Sequence, residues 1–293
     1  MKMKKLLFAM VFLLLFITGC NRQDNDLQLQ RSSWITEVYG DGIKAEMYMF
    51  PGPRFLKQGD SISLKFVLTN FLSNSINVKI SVEDSADTAQ FGGIQEPAEL
   101  EYTLTPAISS RGSIEELTVP GTTDITYNNL GLVSFLATID YGVDKEFNSA
   151  KFCLKYSSKA IINNCNFIGR VNVPGSSTLS SINYEYADSI GNDDVVDRME
   201  IAFSIDEKCN IITDDQKIIE DSEVYLKNSG NLFECYIDKK ESNQNHKSIR
   251  CVNANELNLN PGTPYYFENT VAKFKYDCQL VLNSGFIDLN QGG

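Results

Sequence analysis

Apolar and polar residues alternate with a period of two along most of this chain after Trp34. Ile62, Leu64, Phe66 and Leu68 interleave with Ser61, Ser63, Lys65 and Thr69, Val67 being the exception. Ile76, Val78, Ile80 and Val82 interleave with Asn77, Lys79 and Ser81. Successive side chains of a strand point to opposite faces, so this spacing predicts strands with one dry face and one wet face. The polar run Asn70-Phe71-Leu72-Ser73-Asn74-Ser75 suits a turn between these two. More strands are expected over 100–104, 114–119, 133–141 and 150–156, punctuated by Pro120-Gly121, Asn128-Asn129 and Tyr141-Gly142. The style resumes over 181–186, 198–205, 223–227, 232–237, 248–252, 265–271 and 273–282. No amphipathic helix of about 10–15 residues interrupts the series, although short helices fit 85–90 and 214–221. The pattern predicts an all-β protein built of sandwiches.

The first residues follow another rule. Lys2, Lys4 and Lys5 precede an uninterrupted apolar run over 6–17. A helix needs about 20 apolar residues to span a bilayer, so this run is too short for a permanent span. A basic start, a short apolar run and small residues at its end are the layout of an export signal. The run closes on Ile17-Thr18-Gly19-Cys20, which resembles the lipobox of prokaryotic lipoproteins. That resemblance implies that Cys20 carries lipid and begins the mature chain. Membrane lipid is then a partner through Cys20, and the protein sits in the cell envelope, on the outer, extracytoplasmic face of a membrane. The rival readings are an ordinary signal peptide with a chance cysteine, or an uncleaved anchor.

The expected organisation is a signal peptide over 1–19, a lipid-anchored tether over 20–30, a first β-sandwich over 31–156, a polar linker over 157–177 and a second sandwich over 178–293. The polar stretch 21–30 reaches at most about 30–35 Å, keeping the first domain close to the bilayer. Within 135–141 and 270–276 the chain is loosely self-similar, with Tyr141 aligned on Tyr276.

Charge narrows the choice of partners. The chain carries 26 basic and 38 acidic residues, a formal net charge of −12. The part after residue 170 holds most of the excess. Such a surface repels phosphate backbones, which argues against nucleic-acid binding. Apart from Cys20, six cysteines remain: Cys153, Cys165, Cys209, Cys235, Cys251 and Cys278. An even number in an exported chain reads as a disulfide framework, with more connectivities than spacing alone can decide among. The pairing favoured is Cys153–Cys165 and Cys235–Cys251, which close short loops, with Cys209–Cys278 left by elimination. A zinc site is the weaker reading, because no CxxC pair is present and the single histidine, His246, lies in a polar run expected to be a loop.

A second resemblance rests on Lys57-Gln58-Gly59-Asp60 leading into the alternating stretch 61–70, and on the strand and return strand of 135–156. Both resemble bacterial and archaeal immunoglobulin-like adhesion modules. The resemblance covers about 30–156. It implies an immunoglobulin-like fold and an architectural or binding role at a cell surface, and it supplies no catalytic residues.

Candidate chemistry is sparse. One histidine in a loop is a poor basis for Ser-His-Asp or Cys-His catalysis. Carboxylate pairs such as Asp140 with Asp144, or Asp193 with Asp197, are the residues a glycosidase would need, in a chain where acids are plentiful. Asp188, Asn192, Asp193, Asp194 and Asp197 gather between two expected strands. They offer oxygen ligands for a structural calcium, without the spacing of an EF-hand, and a solvated acidic turn is the plainer reading. Trp34, Tyr265 and Tyr266 are candidates for stacking on a glycan, against core packing as the plainer alternative. The expectation is therefore a non-enzymatic, lipid-anchored surface protein that meets an unidentified surface protein or glycan. The alternatives are a carbohydrate- or ligand-binding lipoprotein and, behind it, an extracytoplasmic hydrolase.

Overall fold

The computed structural model describes residues 34–53, 60–86, 92–95, 98–128, 131–149, 151–155, 170–172, 179–186, 196–253, 257 and 265–288. Among these the chain is almost wholly antiparallel β-structure, with one short helix. It divides into two compact units, one formed by 1–38, 42–139 and 281–293, the other by 39–41 and 140–280. The sequence suggested a break at 157–177, and only Arg170–Asn172 of that segment is described. The two units are interleaved along the chain. Two 14-residue strands, β8 (Phe135–Asn148) and β18 (Thr270–Asn283), each contribute residues to both.

In the first unit, β1 (Trp34–Tyr39), β2 (Ile43–Phe50), β3 (Ser63–Asn70) and β6 (Ser113–Leu117) form a sheet in the order β1-β2-β3-β6. Alternation decides which face is dry. Ile43, Ala45, Met47 and Met49 of β2 and Leu64, Phe66 and Leu68 of β3 are buried, and register sets Met47 opposite Phe66. Each of these side chains apart from Ala45 contributes about 1.5–3 kcal/mol on full burial. β4 (Ile76–Asp84) pairs with β5 (Ala98–Leu104), burying Ile76, Val78, Ile80 and Val82 as the spacing predicts. The turn at 71–75 carries the chain from the sheet of β3 to the separate sheet of β4. Asn70 fixes it. Wholly buried, it donates from Nδ2 to the carbonyls of Asn74 and Thr105, both at 2.9 Å, and accepts from the Leu72 amide at 2.8 Å. An asparagine suits this position because its amide replaces backbone partners that the turn removes. Short strands β7 (Leu132–Val133) and β19 (Ile287–Asp288) pair at another margin of the unit.

In the second unit, β10 (Arg170–Asn172), β11 (Leu179–Tyr186), β12 (Val196–Asp206), β16 (His246–Asn253) and β15 (Phe233–Ile237) form an antiparallel sheet in the order β10-β11-β12-β16-β15. The two-residue strand β13 (Asn210–Ile211) pairs with Cys278 and Gln279 of β18, and β14 (Glu223–Leu226) pairs with Thr270–Lys273 of the same strand. The helix α1 (Asp215–Glu220) begins where Asp214 accepts from the Gln216 amide and buries Ile218, at the place expected for a short helix. Phe203 meets Phe274 edge-on at 5.3 Å, and Phe147 lies 5.7 Å from Phe274, filling the core with offset rings. β9 (Phe152–Lys155) pairs with β17 (Tyr265–Glu268).

Two expectations need correction. Tyr141-Gly142 does not end a strand, because β8 runs through it with Tyr141 and Val143 buried and Gly142 exposed between them. His246 is not in a loop; it opens β16, opposite Asp206.

Candidate functional site

The candidate residues read from sequence fall into three groups. Asp188, Asn192, Asp193, Asp194, Cys165 and Cys20 lie outside the described residues. Asp197, Trp34, Tyr265 and Tyr266 lie in strands β12, β1 and β17, their backbones alone described. Asp197 is thus a strand residue, not part of a loop. Cys153, Cys209, Cys235, Cys251 and Cys278 are all disulfide-bonded, with Cys209 joined to Cys278 and Cys235 to Cys251. Cys235 and Cys251 face each other directly across β15 and β16. Next to Tyr265 and Tyr266 in sequence, Phe267 is 41% exposed, with the Lys151 ammonium 4.7 Å from its ring centroid.

The serine, histidine and aspartate side chains that do meet are not arranged as a catalytic triad. His246 Nδ1 lies 2.6 Å from Asp206 Oδ1, and Ser204 Oγ approaches the same nitrogen at 3.5 Å. A triad holds the acid on one ring nitrogen and the nucleophile on the other. Here both partners compete for one nitrogen, so Nε2 is never placed on the serine. Asp140 and Asp144 lie four residues apart on β8, their backbones about 13 Å apart along the strand, and Asp193 of the other carboxylate pair lies outside the described residues.

The most unusual polar cluster lies inside the second unit, and the sequence reading missed it. Glu207 is buried, its side chain having no exposed surface. The Lys145 ammonium lies 3.0 Å from Glu207 Oε1 and 3.2 Å from Asp41 Oδ2. The Tyr276 hydroxyl donates to the same Glu207 Oε1. Two buried polar atoms of this region, Glu207 Oε2 and the Tyr141 hydroxyl, have no hydrogen-bond partner among the described residues. Burial, reinforced by the Asp41 carboxylate, pushes the Tyr141 and Tyr276 phenols well above the usual tyrosine range. Beside them lies the Cys209–Cys278 bridge.

Strand parity builds this cluster. β12 buries Met199, Ile201, Phe203 and Ile205, and the same odd parity carried one step past the strand lands on Glu207. β18 buries Phe274, Tyr276, Cys278 and Leu280 on one face. On β8, Lys145 follows Tyr141 and Val143 on the inward parity. A charged residue at an inward position is the signal that marks such a site.

A second ionic group lies on the sheet of β12 and β16. Arg250 has Glu200 at 3.1 Å, Asp238 at 3.2 Å and Glu241 at 3.6 Å. The hydrogen bond to Glu200 leads in raising the guanidinium pKa above its ordinary value. Three acids around one base reflect the acidity of this half of the chain, and the half-exposed pairs add little to stability.

The chain matches no family model and no curated protein sequence. No helix among the described residues is long and apolar enough to cross a membrane.

Proposed function

We propose that this is an exported lipoprotein, anchored through a lipid on Cys20 and presenting two immunoglobulin-like β-sandwich modules at the outer face of a membrane. Its role is non-enzymatic: a binding or spacing module that meets a surface protein or glycan. The observation that carries this reading is the apolar run ending in Ile17-Thr18-Gly19-Cys20, in a chain whose body is antiparallel β-structure with disulfides. Disulfides persist in oxidising compartments, which export supplies. Attachment through a diacylated cysteine gives the two chains that stable anchoring requires. The single histidine, with Asp206 and Ser204 on the same ring nitrogen, favours a binding role over histidine-dependent hydrolysis.

Expression of the full chain in a bacterial host tests it. The wild-type protein should enter the detergent phase, with its N-terminal peptide beginning at Cys20 and carrying the added mass of acyl chains. The Cys20→Ser protein should lose both properties. A wild-type chain that keeps its leader, or a Cys20→Ser protein that stays membrane-bound, would overturn the reading.

Glycan capture is the second reading, favoured by exposed Phe267 on β17 beside Tyr265 and Tyr266. A glycan array showing binding that Phe267→Ala abolishes would establish it, and silence from the wild-type protein would end it.

A further inference from the structure

Glu207, Cys209 and Cys278 each bring one ligand atom to the same place, all within 4.8 Å of one another and all buried. The two sulfurs are joined as a disulfide, and a disulfide sulfur lacks the thiolate charge that holds a metal ion. Glu207 contributes a second, independent sign of a ligand position. Its Oε2 is buried and has no hydrogen-bond partner among the described residues, a state that costs free energy unless something else fills it. We propose that two-electron reduction of the Cys209–Cys278 bridge opens a site for one thiophilic divalent cation of the zinc(II) class, held by Cys209 Sγ, Cys278 Sγ and a Glu207 carboxylate oxygen.

The chemistry balances with a dithiol as reductant. The Sγ–Sγ bond takes two electrons and two protons from the dithiol, which closes to its own disulfide. The cation then displaces the two thiol protons to water. Two thiolates and one carboxylate carry three negative charges, met by two on the cation and one on the Lys145 ammonium beside Glu207. Zinc accepts such sulfur and oxygen ligands at about 2.0–2.3 Å, usually with four ligands, so water completes the set. Cys209 directly precedes β13, which pairs with β18 at Cys278 and Gln279 and is also held by Gln244 and Asn245, so reductant and cation reach the sulfurs by local opening of this segment. The cation then replaces the disulfide as the tie between that segment and β18.

The full-length protein, reduced with a phosphine under anaerobic conditions, should bind one equivalent of Zn(II). With Cd(II) in its place, the near-UV absorption of cadmium thiolates should appear. Both should survive Cys235→Ser/Cys251→Ser and disappear in Cys209→Ser/Cys278→Ser, and the oxidised protein should show neither. Glu207→Gln should weaken binding about tenfold or more. Zn(II) should also raise the melting temperature of the reduced wild-type protein, or refold it if reduction unfolds it, and should do neither for the Cys209→Ser/Cys278→Ser protein. The proposal fails if the reduced wild type binds no metal and gains no stability from it. It fails equally if binding persists without Cys209 and Cys278.

Discussion

The Lys145 ammonium reaches Glu207 Oε1 at 3.0 Å, and the glutamate it meets is wholly buried. The two are unequal partners. Lys145 keeps 29% of its side-chain surface and shares its charge with Asp41, whereas Glu207 depends on Lys145 and the Tyr276 hydroxyl. Removing one member of a buried pair leaves the other charge uncompensated, and that penalty exceeds the net worth of the pair. Lys145→Met should therefore destabilise the protein by about 3 kcal/mol at neutral pH. Adding Glu207→Gln to Lys145→Met should recover part of that loss, since the wholly buried charge is then gone and only the partly exposed Asp41 carboxylate is left without Lys145. Denaturant unfolding of the two single variants and the double variant checks this, and a double variant less stable than Lys145→Met would contradict it.

The two fully described disulfides close loops of different length. Cys209–Cys278 spans 69 residues and Cys235–Cys251 spans 16. In the chain-entropy account a longer closed loop removes more freedom from the unfolded chain. Loss of Cys209–Cys278 should cost about 4 kcal/mol, and loss of Cys235–Cys251 about 3 kcal/mol. Thermal unfolding of Cys209→Ala/Cys278→Ala against Cys235→Ala/Cys251→Ala should give the lower melting temperature to the first. The reverse order would mean that native packing, not loop closure, sets their contributions.

Asn70 satisfies three backbone groups from one buried amide, and nothing smaller can do so. Asn70→Ala orphans the Leu72 amide and the carbonyls of Asn74 and Thr105 where the chain changes sheets. A buried unsatisfied group costs about 1–3 kcal/mol. The variant should lose about 3 kcal/mol. Asn70→Asp should fare little better, because its second oxygen cannot donate to the two carbonyls. Amide hydrogen exchange should show faster exchange first at Leu72.

How far the sequence revealed this fold varies with the kind of signal. β3 and β4 were legible because their alternation is clean and local. β8 was not, because Tyr141-Gly142 reads as a stop. Gly142 lies on the wet face between two buried residues and interrupts neither pairing nor parity. His246 was misplaced because its polar neighbours suggest a loop, while its pairing partner Asp206 is 40 residues away in sequence. The buried cluster was the least legible feature. Asp41 is 104 residues from Lys145, and Glu207 is 69 from Tyr276, so only the tertiary fold brings them together. One local clue existed: Glu207 continues the inward parity of Ile201, Phe203 and Ile205.

Three buried phenols give the molecule an alkaline limit. Tyr127 is pushed far above the ordinary tyrosine value by burial and by Asp84, whose Oδ2 accepts its hydroxyl at 2.6 Å. Tyr141 and Tyr276 are raised by burial and then by the Asp41 charge. In the unfolded chain each titrates near 10.0. The folded pKa lies above the unfolded one, so the folded state holds its protons longer. The stability contributed is complete below about pH 10 and is lost as pH rises above it. Each tyrosine should remove about 1.4 kcal/mol per pH unit in that range. Unfolding free energy should therefore fall steeply above about pH 10. Tyrosinate absorbance should show these three phenols ionising together with unfolding, not before it. Tyr276→Phe should make the alkaline slope shallower by one tyrosine's share. Phenols that ionise gradually in a protein still folded by circular dichroism would show that burial does not govern them.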